Sequence, residues 1–207
     1  MSASPLFPGL SADWSEFTHT LTTQHGPIFY REYLRKPEAK KTHHKRILYI
    51  IHGFGEQSDR FQHFPFYLHT CLDAIGFIDL PGHGQSPGQR GYISDYQICS
   101  DVALEGFAFF QSRYPQAEAH WQGSSMGALV SLRTLLQKKD LRLKSVVVNE
   151  AQIDLALQVP VIKDKMAHVL ENIWGSLPME NGLKGPDLPK RFPYRRSISE
   201  TLSTTPR

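Results

Sequence analysis

Short runs of consecutive apolar residues alternate along this chain with longer stretches in which apolar residues recur every three or four positions. These are the patterns of strand and helix. Residues 16–22 and 27–34 are β-branched and aromatic and meet at His25-Gly26, which predicts an opening hairpin. Residues 46–51 carry Ile47, Leu48, Tyr49, Ile50 and Ile51 in succession, the character of a strand buried on both faces. Further strands are predicted at 74–80, 118–122 and 144–149, the last holding Val146, Val147 and Val148. Helical spacing fills the gaps. Residues 95–113 place Ile98, Val102 and Phe109 on one face, and residues 125–137 do the same with Leu129, Leu132 and Leu136. Strands alternating with helices of this length imply right-handed crossovers and a doubly wound, mostly parallel sheet of the α/β class. Ligands in such sheets bind beyond the carboxyl ends of the strands, so chemistry is expected in the loops after Ile51, Asp79, Gln122 and Asn149.

Beyond Asn149 the pattern changes. Ile162, Met166, Val169, Ile173 and Leu177 make residues 161–177 an amphipathic helix, either a cover for the core or a lid over an apolar pocket. Pro178, Gly182, Gly185, Pro186, Pro189 and Pro193 then break any long element. The division predicted is a core over residues 1–150, a partial cap over 151–183 and a poorly ordered tail over 184–207.

Composition narrows the class. A chain of 207 residues with 40% hydrophobic and 21% charged positions can bury a core, and it is too polar for an integral membrane protein. The net charge of +3 is concentrated at one end, where six basic residues face two acidic ones over 184–207. A basic tail is more often a solvated terminus than a ligand site, and no basic stripe with interleaved aromatics marks the body, so nucleic-acid binding is not expected. Cys71 and Cys99 match no disulfide framework or metal-ligand spacing and read as reduced core residues in apolar helical patterns. No metal or other cofactor motif is present. The first ten residues lack the pattern of a signal peptide, which makes the cytoplasm the expected compartment.

Gly123-Ser124-Ser125-Met126-Gly127 fits G-x-S-x-G and falls between a predicted strand and a predicted helix. A nucleophile on that turn is held in a strained backbone, and the small residues two before and two after let the chain cross itself closely. Ser124 is out of register, because Gln122 and Met126 flank it. His52-Gly53-Phe54-Gly55-Glu56 directly follows an apolar strand, and its glycines allow backbone N–H groups to turn toward a common point. An oxyanion hole in this arrangement takes one N–H from the residue after the nucleophile and one from the earlier loop, here Met126 and Phe54. A third polar loop, residues 79–91, contains His83 between two glycines, which fits a structural turn better than a base.

These three segments resemble the α/β-hydrolase superfamily, in its monoglyceride lipase, lysophospholipase and serine aminopeptidase-like branch. The branch carries H-G-x-G-E followed by S-x-R-[FY], here His52 to Glu56 and Ser58 to Phe61, then D-x-x-G-H-G-x-S-x-G-x-R-G, here Asp79 to Gly91, then G-x-S-M-G. The resemblance implies that Ser125 is the nucleophile, that Phe54 and Met126 supply the oxyanion hole, and that Gly53 and Glu56 line the substrate pocket. It implies a serine hydrolase acting on esters of lipid-like acyl groups, with peripheral contact to a membrane surface. The helix over 161–177 falls where such enzymes insert a cap.

Two departures stand out. Ser124 occupies a position where the family usually has histidine. The fold also runs its triad in the order Ser, acid, His, with the last two after further strands. After Ser125 this chain has one histidine, His168, in the middle of the amphipathic helix, where a surface cap residue fits better than a base. Glu150 and Asp154 follow the sixth strand, where an acid can orient a histidine; without one to orient, they read as polar loop residues. The sequence therefore reads as the family's N-terminal portion, truncated after six strands and part of the cap. That leaves the valine-rich sixth strand as an exposed edge for another polypeptide to cover, and leaves a catalytically incomplete member or a binding module as the alternative function.

Overall fold

The computed structural model describes residues 13–36 and 45–153. They form one six-stranded sheet with two long helices on one face. Strands β1 (Trp14–Thr23) and β2 (Gly26–Arg35) make the predicted hairpin, turning at Gln24 and His25 with Thr23 opposite Gly26. Gly26 takes φ +103, a left-handed conformation that a side chain would strain. After β3 (Arg46–Ile51) come a 3-10 turn (Ser58–Phe61) and a one-turn helix α1 (Phe64–Tyr67). Then follow β4 (Ala74–Ile78), α2 (Tyr96–Arg113), β5 (Glu118–Ser124), α3 (Met126–Gln137) and β6 (Ser145–Asn149). The strand order is β1-β2-β4-β3-β5-β6. Strands β4, β3, β5 and β6 are mutually parallel, and the hairpin joins β4 antiparallel. The chain runs from β3 to β4 on one side and returns to β5 on the other, so a switch point lies at the carboxyl end of β3.

Strand β3 is buried on both faces as its unbroken apolar run predicts. Ile47, Tyr49 and Ile51 join the cluster under α2 and α3 with Val102, Phe107, Phe110 and Trp121. Leu48 and Ile50 face the other way, to Trp14, Tyr33, Phe61, Leu72 and Phe77. Burying side chains of this size contributes roughly 1.5–3 kcal/mol each before the entropy of ordering is subtracted.

The helices turn differently from the periodic reading. In α2 the buried face is Cys99, Val102, Ala103, Gly106, Phe107 and Phe110, while Ile98 and Phe109 are only partly covered. The reason is close approach: a Cβ on Gly106 would lie 2.3 Å from the Tyr49 hydroxyl. In α3 the side against the sheet is small and polar, with Gly127, Ala128, Ser131 and Thr134 buried. The predicted leucine face is not the buried one: Leu129 and Leu132 are half-buried and Leu136 is 72% exposed. Cys99 is a buried free thiol, but Cys71 is exposed in the turn after α1 and is not a core residue.

Strand β6 closes the sheet among the described residues, and its three valines are 39–47% exposed. No helix among the described residues is long and apolar enough to cross a membrane. The amphipathic stretch 161–177, with His168, and the basic segment 184–207 lie outside the described residues, as does Asp154.

Candidate active site

Ser125 sits at the joint between β5 and α3 with φ 52 and ψ −118, a backbone region that non-glycine residues rarely occupy. A serine at a helix N-cap ordinarily turns its hydroxyl back onto the first N–H groups of the helix. Here it makes no such bond, which leaves Oγ free of that role. The turn is fixed by its backbone instead: the Ser125 N–H donates to Asn149 O at 2.8 Å, and its carbonyl accepts from Ala128 N and Leu129 N.

The glycines at either side of the turn are required by contact. A Cβ on Gly123 would lie 2.4 Å from Gly127 O and 2.8 Å from Ala128 Cα. One on Gly127 would lie 2.3 Å from Ile51 O and 2.4 Å from His52 O. These are backbone atoms that cannot swing aside, so α3 meets the end of β3 only because both positions lack side chains.

The loop after β3 reaches the same point. A Cβ on Gly53 would lie 3.1 Å from Ser125 Cβ and 3.2 Å from Ser124 O, so Gly53 packs directly on the serine. The Gly53 N–H donates to Glu56 Oε2 at 2.9 Å, and Glu56 N–H returns to Gly53 O at 3.2 Å. Arg60 pairs with the other oxygen of Glu56. The Glu56 carboxylate is thus engaged within its own loop. Among the described residues, neither the Phe54 N–H nor the Met126 N–H has an acceptor, and the Phe54 side chain is 43% exposed. Met126 is buried.

The loop over residues 79–91 braces this arrangement from the side. The buried Asp79 carboxylate accepts from Ser58 N at 2.6 Å and from Gln85 N at 2.8 Å, and burial raises its pKa. Gly84 has φ +49, and a Cβ there would lie 2.1 Å from Asp79 Oδ2. Ser86 Oγ accepts from Phe29 N, Arg90 donates to Gly84 O, and Arg31 of β2 holds Asp59 and Glu16. His83 is buried with Nδ1 against Pro81 O, and its ring stands between His52 and Phe54 at 5.3 and 5.5 Å. Burial pushes the His83 pKa down to about 4, so it is an uncharged turn residue. His52 is likewise buried and neutral, also pushed down to about 4 by burial.

The structure therefore gathers Ser125, Met126, Gly53, Phe54 and Glu56 at the carboxyl ends of β3 and β5. It brings Glu150, which follows Asn149 with φ 51, to the neighbouring end of β6. Among the described residues no histidine or carboxylate hydrogen-bonds to Ser125 Oγ, and no cluster of histidine, cysteine or acidic residues is placed to hold a metal ion. His52, which the sequence places only within the H-G-x-G-E motif, directly follows the buried strand β3 and sets its ring between the β3 loop and Leu80.

Comparison with known proteins supplies a relationship for this arrangement. The family model described as serine aminopeptidase, S33, matches residues 42–198. Human monoglyceride lipase is 28% identical over 137 residues, covering 66% of this chain and 43% of that enzyme. Caffeoylshikimate esterase of Arabidopsis thaliana is 32% identical over 124 residues, covering 56% of this chain and 35% of that protein. Among solved structures, a soluble variant of monoglyceride lipase from Saccharomyces cerevisiae, in complex with a substrate analog, superposes with a TM-score of 0.64 at 17% identity. That match covers 90% of this chain and 60% of the yeast chain, and it bears on the fold alone. The match spans less than half the length of the mammalian monoglyceride lipases.

Proposed function

The chain belongs to the serine aminopeptidase S33 family of α/β-hydrolases, in the branch of the monoglyceride lipases, and from that premise we propose that it cleaves carboxylic esters of lipid-like acyl groups through an acyl-enzyme on Ser125. One observation carries the reading. Ser125 stands in a strained strand-to-helix turn with its hydroxyl not used as a helix cap, and the β3 loop packs on its Cβ. Nucleophile and loop thus share one site.

In this mechanism Ser125 Oγ attacks the ester carbonyl carbon, and the carbonyl oxygen takes the negative charge. The N–H groups of Phe54 and Met126, which have no acceptor among the described residues, receive that oxyanion. Removing one donor of this kind costs about 10²–10³ in rate. Collapse of the tetrahedral species expels the alcohol, and water then releases the acid from the serine ester. An alcohol attacks at neutral pH only if a base takes its proton. His168 is the one histidine after Ser125 within these residues and is the candidate base, with Glu150 or Asp154 as the acid that orients it. The substrate is a small acyl ester or lipid met at a membrane surface, and the protein works from the cytoplasm. The exposed β6 edge is the place for a covering polypeptide.

A second reading has its own support: no described group hydrogen-bonds to Ser125 Oγ. On that reading the chain is a catalytically incomplete member that keeps the nucleophile turn for binding. Hydrolysis of a monoacylglycerol by residues 1–207 separates the two. Turnover that falls at least about 10³-fold in Ser125→Ala supports the enzyme. No turnover above buffer, or equal turnover in both proteins, supports the incomplete member.

A further inference from the structure

The Phe54 N–H and the Gly53 C=O belong to one planar peptide and point to opposite sides of it, so whatever fixes the carbonyl aims the N–H. That carbonyl is held twice, by His52 Nδ1 at 2.8 Å and by Glu56 N at 3.2 Å. The other ring nitrogen, His52 Nε2, meets Leu80 N at 2.9 Å. A backbone N–H only donates and a carbonyl only accepts, so the ring has a single consistent state: neutral, protonated on Nδ1, with Nε2 accepting. We infer that His52 is a positioning residue for ester cleavage, its Nδ1–H holding the Gly53–Phe54 peptide so that the Phe54 N–H faces the oxyanion. The inference rests on the Ser125 reading above.

Further points bear on this role. His52 is almost wholly buried, and burial holds its pKa near 4, so the accepting state at Nε2 persists through neutral pH. Leu80 lies two residues past the end of β4 and is fully buried, so the clamp ties the loop after β3 to the end of the neighbouring strand rather than to a surface group. A hydrogen bond at the carbonyl end of a peptide also polarises it, which strengthens its N–H as a donor. The Glu56 carboxylate pins the preceding peptide through the Gly53 N–H. Both peptides that flank Gly53 are therefore fixed where Gly53 touches Ser125.

Two substitutions separate the two halves of the clamp. His52→Asn keeps a side-chain N–H near the Nδ1 position and leaves Leu80 N–H unpaired. His52→Gln offers an acceptor near the Nε2 position and removes the donor to Gly53 O. Each loses one buried hydrogen bond, so a purely structural role lowers both alike. The role inferred here predicts that kcat for the monoacylglycerol falls about tenfold to a hundredfold in His52→Gln at nearly constant KM, short of the loss expected for outright removal of a donor. It predicts a clearly smaller fall in His52→Asn, with rates taken per folded molecule. Equal losses in the two variants, or wild-type rates in His52→Gln, overturn it. A second readout needs no turnover: a long-range 1H–15N spectrum of the imidazoles is predicted to show His52 protonated on Nδ1, and a ring protonated on Nε2 overturns the inference. Absence of any Ser125-dependent turnover in the wild-type chain overturns the hydrolase reading and this role with it. Turnover with indistinguishable variants overturns this role alone.

Discussion

Gly127 illustrates how much a single position decides in this molecule. Any side chain there would enter the carbonyl oxygens of Ile51 and His52. Gly127→Ala is predicted to destabilise the fold by at least about 2 kcal/mol, since overpacking against fixed backbone typically costs 1–3 kcal/mol. Urea unfolding checks this, and a midpoint equal to wild type would contradict the packing described. The glycines, and with them the serine between, were legible because a nucleophile turn demands small residues at set spacing, a requirement visible in the sequence itself. The duty of His52 was not. Which backbone groups its two nitrogens meet depends on Leu80, twenty-eight positions away, and on the parallel pairing of β3 with β4.

At the scale of elements, strands read well and helix faces read poorly. Strand β3 announces itself by five consecutive apolar residues, and its bounds are those predicted. In α3, by contrast, leucines at 129, 132 and 136 satisfy helical spacing, yet none of them is among the buried residues of the helix. Periodicity finds a stripe without saying which neighbour it faces, and the side that must pass over β5 is forced to be small by Gly123. Ser131 fills that side: its hydroxyl accepts from Trp121 Nε1 at 2.7 Å and donates to Gly127 O at 2.6 Å. Ser131→Ala is predicted to cost about 1–3 kcal/mol by leaving the buried indole N–H unpaired. Leu136→Lys, on the stripe that periodicity favours, is predicted to change stability by no more than about 0.5 kcal/mol. Denaturation of the two variants side by side tests the assignment of faces, and the reverse ranking would refute it.

At the scale of the whole molecule, buried imidazoles tie stability to pH. His52 and His83 lie against one another, and burial lowers each from 6.5 to about 4. Between those values the unfolded chain binds protons that the folded one refuses, so the stability these rings allow is complete above pH 6.5. It is lost as pH falls toward 4, by on the order of 3 kcal/mol per ring. Asp79 acts in the opposite sense, because burial raises its pKa and its protonation favours the folded state. His63 and His120, also lowered by burial, act in the same sense as the two rings, so the urea midpoint is predicted to fall from pH 7 to pH 4; a flat profile would contradict the burial described. The mostly parallel sheet was legible from alternating strand and helix patterns; the strand order, which those patterns do not give, sets the switch point at the carboxyl end of β3 beside Ser125. What pattern alone does not supply is the group that takes the serine proton. The most direct test of the central claim is therefore the chemical state of Ser125 itself, read by intact-mass and peptide mapping after exposure of residues 1–207 to a fluorophosphonate. A single adduct on the peptide containing Ser125, absent from Ser125→Ala, is the predicted result; no adduct, or one that survives the substitution, would contradict it.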